Sequence, residues 1–140
     1  MPKRLLVAVD GSEESVAAAQ YAVELAVRMK AELSALHVML LPEYVSDEVR
    51  NRLERELSSR GQSALKRVRL AAKGKNVVLS EKMLTTTKSV ITTICDFAAS
   101  DGAGLIIMGT KGAGGVANMM LGNVATGVVR EARCPVLVVR

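Results

Sequence analysis

Apolar and polar positions along this chain alternate between two periods. Short runs rich in Val, Leu and Ile occupy residues 4–9, 33–40, 76–84, 104–108 and 135–139, and each predicts a strand. Between them apolar residues return every three or four positions, as on one face of a helix. Val16, Ala19, Val23, Ala26 and Val27 mark such a face after a break at Asp10-Gly11-Ser12. Ser12 is the expected N-cap, and Glu13 and Glu14 fall in the first turn, where acids suit the helix dipole. Val49, Leu53, Leu57, Ala64, Leu65 and Val68 keep helical spacing across a long helix over 46–72. Gly61 interrupts it and predicts a kink, at a cost of about 1 kcal/mol relative to Ala. A third helix opens at Thr87 or Lys88, turns Val90, Ile91, Ile94, Phe97 and Ala98 inward, and ends at Gly102 and Gly104. A fourth covers 124–132. Pro135 at the first position of a strand is tolerated, because no ladder donor is needed there. Strands separated by crossovers throughout predict an α/β fold, a parallel sheet with helices on two faces and right-handed crossovers. No linker, repeat or low-complexity segment divides the chain, so residues 1–140 read as one domain.

Composition narrows the core and the partners. The chain is 49% hydrophobic but has no Trp, one Phe and two Tyr. Its core is therefore aliphatic, which suits a parallel sheet buried on both faces. So few rings also count against single-stranded nucleic acid, which stacks bases on aromatics. The net charge of +5 favours anionic partners. The densest basic cluster, Lys66, Arg67, Arg69, Lys73 and Lys75, reads as a solvated helix face rather than a DNA or membrane patch. Cys95 and Cys134 form no C-x-x-C pair and the chain opens without a signal-peptide pattern. It therefore reads as a reduced, cytoplasmic chain with two buried, inert thiols. The apolar runs are too short to span a bilayer.

The chemistry concentrates late in the chain. Leu105-Ile106-Ile107-Met108 delivers the backbone to Gly109-Thr110-Lys111-Gly112, and nine residues on Gly122-Asn123 leads into the last helix. Glycines let main-chain N–H groups approach an anion, and a helix N-terminus adds unpaired donors with a partial positive charge. Phosphate is the usual occupant of such a cradle. In an open parallel sheet, ligands bind beyond the carboxyl ends of the strands, where Asp10 and Gly109 stand. The pattern is not a P-loop, because no G-x-x-x-x-G-K-[ST] occurs. A G-x-G-x-x-A match at 112–117 follows the fourth strand instead of the first, and no acid ends the next strand. It is thus misplaced for a dinucleotide fingerprint.

Gly109-x2-Gly112-x9-Gly122-Asn123, the opening Leu-Leu-Val-Ala-Val-Asp10-Gly-Ser, Leu36-His37-Val38 and the terminal Cys134-Pro135-Val-Leu-Val-Val-Arg140 together resemble the universal stress proteins of the UspA type. Nearly the whole chain takes part, in order. The resemblance implies a Rossmann-like open five-stranded sheet of order 3-2-1-4-5, with ATP, with or without Mg²⁺, across the crevice between the first and fourth strands. It implies that Val38 meets adenine through main-chain groups and that Asp10 lies beside the nucleoside. Gly109, Gly112 and Gly122 would approach ribose and phosphates, and Asn123 and Val124 would stand at the outer phosphates. It also implies a homodimer through the last strand, whose apolar edge, 136–139, is guarded by Arg140 alone.

One position departs from the family pattern G-x2-G-x9-G-[ST]: Asn123 stands where a Ser or Thr is usual. Asn is as good an N-cap, and its amide can donate to a phosphate oxygen. A cap bond through its carbonyl would fix the direction of that amide. Three functions follow: a nucleotide-dependent stress-response regulator, a stress protein without nucleotide that works through protein partners, and a slow ATP hydrolase. No Ser-His-Asp set, carboxylate pair or metal cluster can be assembled, and no base or arginine finger is evident to position a water and stabilise charge, so ATP hydrolysis is expected to be slow or absent. His37, the only histidine, reads as a structural residue of an apolar strand. Lys111 reads equally as a phosphate contact or a solvated loop lysine. Gly114 and Gly115 read as loop flexibility, and Met119 and Met120 as loop anchors.

Overall fold

Among the described residues the strand and helix periods resolve into nine elements: β1 (Arg4–Ala8), α1 (Glu13–Met29), β2 (Glu32–Leu40), α2 (Asp47–Ala72), β3 (Leu79–Thr86), α3 (Val90–Asp101), β4 (Leu105–Gly109), α4 (Asn123–Glu131) and β5 (Val136–Val139). The structure, a computed structural model, describes residues 1–110 and 121–140. All strand pairs are parallel and the sheet order is β3-β2-β1-β4-β5. This is the Rossmann-like arrangement that the resemblance implies. The third strand begins three residues later than its apolar run and extends to Thr86. Pairing with the longer β2 carries it past Leu84, up to Leu40↔Thr86.

Side chains alternate across a strand, and here each set has its own helices. Leu5, Val7, Leu33, Ala35 and Ile107 pack with Ala18, Ala22 and Val23 of α1 and Ala64, Leu65 and Val68 of α2. Leu6, Leu36, Ile106 and Met108 pack on the other face with Ile94 and Ala98 of α3 and Ala125 and Val128 of α4. Each fully buried Leu or Ile contributes about 1.5–3 kcal/mol. The small alanines of α1 and α2 let both helices approach the sheet closely. At the opposite end from the strand tips, Ser34 is buried among charges, donating to Asp101 at 2.7 Å, while Arg4 bridges Glu32 and Asp101.

Three helices start on a serine. Ser12, Ser46 and Ser89 accept from the N–H of Ser15, Val49 and Thr92, respectively, which satisfies one orphan donor at each N-terminus. The helix α2 runs through Gly61 as one element. An ideal Cβ there would lie 2.5 Å from His37 Cδ2 and 3.0 Å from Met83 Sδ. The bare position lets α2 come into close contact with the sheet.

Candidate functional site

The order β2-β1-β4 sets two strands side by side whose onward connections leave for opposite ends of the sheet, the geometry that opens a crevice at their carboxyl ends. A small hollow of about 90 Å³, open to solvent, lies there. Ala8, Leu36, Val38 and Met108 of the sheet form one wall, and Ile94 of α3 and Val124 and Ala125 of α4 face them. Asp10, Ser15, Gly109 and Thr110 join where β1 and β4 end. The walls are mostly apolar, with polar groups gathered at the strand tips.

Asp10 is held by a turn. Its Oδ1 accepts from the Ser12 N–H at 2.9 Å, and Gly11 adopts φ +89°, a left-handed conformation that suits glycine. The Gly11 N–H donates to Ser15 Oγ at 3.1 Å, and that hydroxyl donates to Ser12 O at 3.0 Å. Asp10 thus helps to start α1 and also lines the hollow. Gly109 closes β4 beneath the first turn of α1. A Cβ on it would lie 2.8 Å from the Glu14 carbonyl carbon and 2.9 Å from its Cβ. A visible reason for this glycine is therefore helix-to-strand packing.

Thr110 is buried and ties three segments together. Its N–H donates to Val139 O at 3.1 Å, and its carbonyl accepts from the Gly122 N–H at 2.6 Å. The Gly122 amide is therefore engaged within the protein. Asn123 does not cap α4, contrary to expectation. Gly122 takes the N-cap position with φ −67° and ψ 166°, and its carbonyl accepts the first helical bond, from Thr126 at 3.0 Å. Asn123 is consequently the first helical residue, and α4 has no side-chain cap. The N–H groups of Asn123, Val124 and Ala125 have no intrahelical acceptor. Such donors, with the dipole behind them, suit an anion.

Val38 lines the hollow, and its main-chain groups turn toward the β1 side. Glu32 N–H donates to Lys3 O and Val9 N–H to Leu36 O, both at 2.9 Å, so even-numbered residues of β2 face β1. Leu33 and Leu41 donate to the β3 side. The β1–β2 register ends at Ala8↔Leu36, and Val38 lies beyond that last rung with its N–H and C=O turned the same way. His37 is buried on the opposite face of the strand, with Nδ1 2.8 Å from Val9 O. A carbonyl only accepts, so Nδ1 carries the proton. This is a structural histidine engaged with the backbone.

The structure thus brings Asp10, Val38, Gly109 and Val124 to one hollow, with Gly122 and Asn123 at the start of α4. Gly112 lies outside the described residues, as do Lys111, Gly114, Gly115, Met119 and Met120. Sequence reasoning passed over Ser15 and Thr110. Thr110 had one signal, its place directly after the glycine that ends a buried strand. The cysteines are half-buried and do not line the hollow. Burial pushes both thiols above the ordinary range, and the Glu131 and Asp96 carboxylates add to the rise at Cys95. Neither is therefore a ready thiolate. Among the described residues no group of three or more His, Cys, Asp or Glu side chains could hold a metal ion. No helix among them is long and apolar enough to cross a membrane.

A doubly wound sheet with a partly polar crevice at its strand switch defines a class of open α/β proteins whose ligands, where they have them, bind beyond the strand ends. Comparison with known proteins narrows it. The model of the universal stress protein family matches residues 1–140, and the chain belongs to that family. It is 35% identical over 141 residues to a universal stress protein of Methanocaldococcus jannaschii, covering 99% of this chain and 82% of that one. It is 34% identical over 154 residues to the universal stress protein YxiE of Bacillus subtilis, covering all of both. The solved structure of UspA from Lactobacillus plantarum superposes with a TM-score of 0.84 at 27% identity, over 99% of this chain and 97% of that one. More distant members share the fold and were solved with ligands. One is in complex with cAMP (20% identity, TM-score 0.75) and one from Archaeoglobus fulgidus with dAMP (22%, 0.72). A third, from Arabidopsis thaliana, has AMP bound (20%, 0.71).

Proposed function

We propose that this chain binds an adenine nucleotide, ATP with or without Mg²⁺, in the crevice between β1 and β4, and acts in the cytoplasm as a nucleotide-dependent regulator of a stress response. The observation that carries the reading is the span of the hollow: the main-chain edge of Val38 stands on one side and the uncapped N-terminus of α4 on the other. One N–H and one C=O on the same strand edge complement adenine, whose exocyclic amine donates and whose ring nitrogen accepts. The apolar wall of Leu36, Val38 and Met108 suits a planar base. Asp10 would accept from a ribose hydroxyl. Gly109, Gly122 and, in the loop, Gly112 would let the chain follow the sugar and phosphates, and Asn123 and Val124 would offer amides to the phosphates. The cAMP, dAMP and AMP complexes of fold neighbours support an adenine nucleotide over other anions. Protein partners would then read the nucleotide state; nucleic acid and membrane are not expected partners.

The test is thermal unfolding with millimolar ATP and Mg²⁺. Ligand at one hundred times its dissociation constant stabilises by about 2.7 kcal/mol, which raises the midpoint by several degrees. Gly122→Val is expected to remove that shift and keep the fold, because the branched side chain would stand in the phosphate path. Asn123, in place of the usual hydroxyl, favours one second reading: a stress protein that works through protein partners without nucleotide. No shift with any adenine nucleotide would support it. Phosphate release above the Gly122→Val control would instead indicate slow hydrolysis.

A further inference from the structure

We propose that His37 is a positioning residue: its ring holds the Val9 carbonyl out of the sheet ladder and so keeps the main-chain edge of Val38 open for a purine base. The inference rests on the adenine reading above and adds a residue that does not line the hollow.

Three observations carry it. Glu32 N–H donates to Lys3 O at 2.9 Å, and the same spacing carried along both strands would bring Val38 N–H to Val9 O. The ladder instead stops at Ala8↔Leu36, although the Val9 N–H still donates to Leu36 O at 2.9 Å. At that point His37 Nδ1 meets Val9 O at 2.8 Å. The ring stands on the α2 side of the sheet, so it draws the carbonyl toward that side and away from β2. Gly61 explains how the ring is kept there. Any Cβ on Gly61 would lie 2.5 Å from His37 Cδ2 and 3.0 Å from Nε2, so α2 closes over the imidazole only because position 61 is bare. Without the ring's donor, the nearest donor for Val9 O is the Val38 N–H. One more ladder bond would form, from the Val38 N–H to Val9 O, and the donor that a base would use would be occupied.

Two variants and the unaltered chain test this by NMR. In the unaltered chain, ring nitrogen shifts are expected to show a proton on Nδ1, and the Val38 amide to exchange far faster than the Leu36 amide. A bare Nδ1, or a Val38 amide as protected as Leu36, would overturn the proposal whether or not any variant folds. His37→Leu removes the donor, and the Val38 amide is expected to slow by about tenfold or more, the worth of one hydrogen bond. His37→Asn keeps an N–H donor near the place of Nδ1 and should preserve fast exchange. In titrations, AMP affinity is expected to fall about tenfold in His37→Leu and to recover in His37→Asn, while tripolyphosphate, which lacks a base, binds all three alike. Equal loss of AMP and tripolyphosphate would point to general damage and overturn the positioning role. If the unaltered chain binds no AMP, the adenine reading fails, and the exchange rates alone decide what the ring does.

Discussion

Gly61 and Gly109 are glycines for a reason other than backbone freedom. Gly61 sits inside a regular helix, where a glycine costs about 1 kcal/mol relative to Ala. Alanine at 61 should therefore stabilise α2 taken alone. In the folded chain its Cβ would press on His37 and Met83. Methionine yields easily, but the imidazole is tied to Val9 O. Overpacking of this kind costs about 1–3 kcal/mol, so Gly61→Ala is expected to lower the urea midpoint despite its better helix propensity. An unchanged or higher midpoint would show that the ring moves freely. The contacts of Gly61 with His37, 24 residues away in sequence, and of Gly109 with Glu14 leave no local trace. A glycine in a helical pattern reads as a kink and one after a strand reads as a turn, because sequence periodicity reports which face is apolar and not what presses on it.

The helices differ at their starts. Serine caps α1, α2 and α3; the sequence pattern marks Ser12 as a cap and Ser46 as the start of α2, but opens α3 at Thr87 or Lys88, ahead of Ser89. The α4 start was read one residue late: Asn123 suits a cap by type, yet Gly122 occupies the position because its amide is drawn back to Thr110 O. Gly122 has φ −67°, which any residue adopts. Gly122→Asp would supply the missing side-chain cap, and Asp exceeds Gly at N-caps by a few tenths of a kcal/mol. It would also set a carboxylate on the donors proposed for phosphate. We expect a small rise in thermal midpoint without ligand together with loss of any rise on adding ATP, measured in the same melting series. A variant that keeps its ATP response would move the phosphate away from α4.

The two borders of the sheet are built differently. The outer strand β3 exposes Ser80, Glu81 and Lys82, and Arg69 of α2 clasps Glu81 with bonds of 2.7 and 2.8 Å. That guanidinium holds the Glu81 carboxyl below the usual carboxylate range. Charges on an outer strand discourage pairing with another sheet. The border at β5 carries only apolar, half-buried residues, Val136–Val139. Pro135 O and Val139 O accept from β4 and from Thr110, so odd positions face inward and Val136 and Val138 turn their N–H groups to the open edge. We propose that a second copy covers this edge. Val138→Pro would delete one outward donor and leave the β4 ladder whole. It is expected to give a folded monomer in sedimentation, and the unaltered chain a dimer; a dimer in both would place the interface elsewhere, and a monomer in both would overturn the proposal.

The alternation of periods 2 and 3.6 determined the order of elements, the two-faced aliphatic sheet and the arrival of Asp10 and Gly109 at the carboxyl ends of their strands, because each of these follows from the local pattern of apolar residues. The sheet order came from likeness to a family, and pairing between strands then settled it. Tertiary packing alone decided that Gly61 makes room for His37, that His37 takes the Val9 carbonyl, and that Thr110 gathers β5 and the start of α4. Hydrogen-bond partners far apart along the chain are chosen by which groups meet when the faces close, and periodicity records only that a face exists.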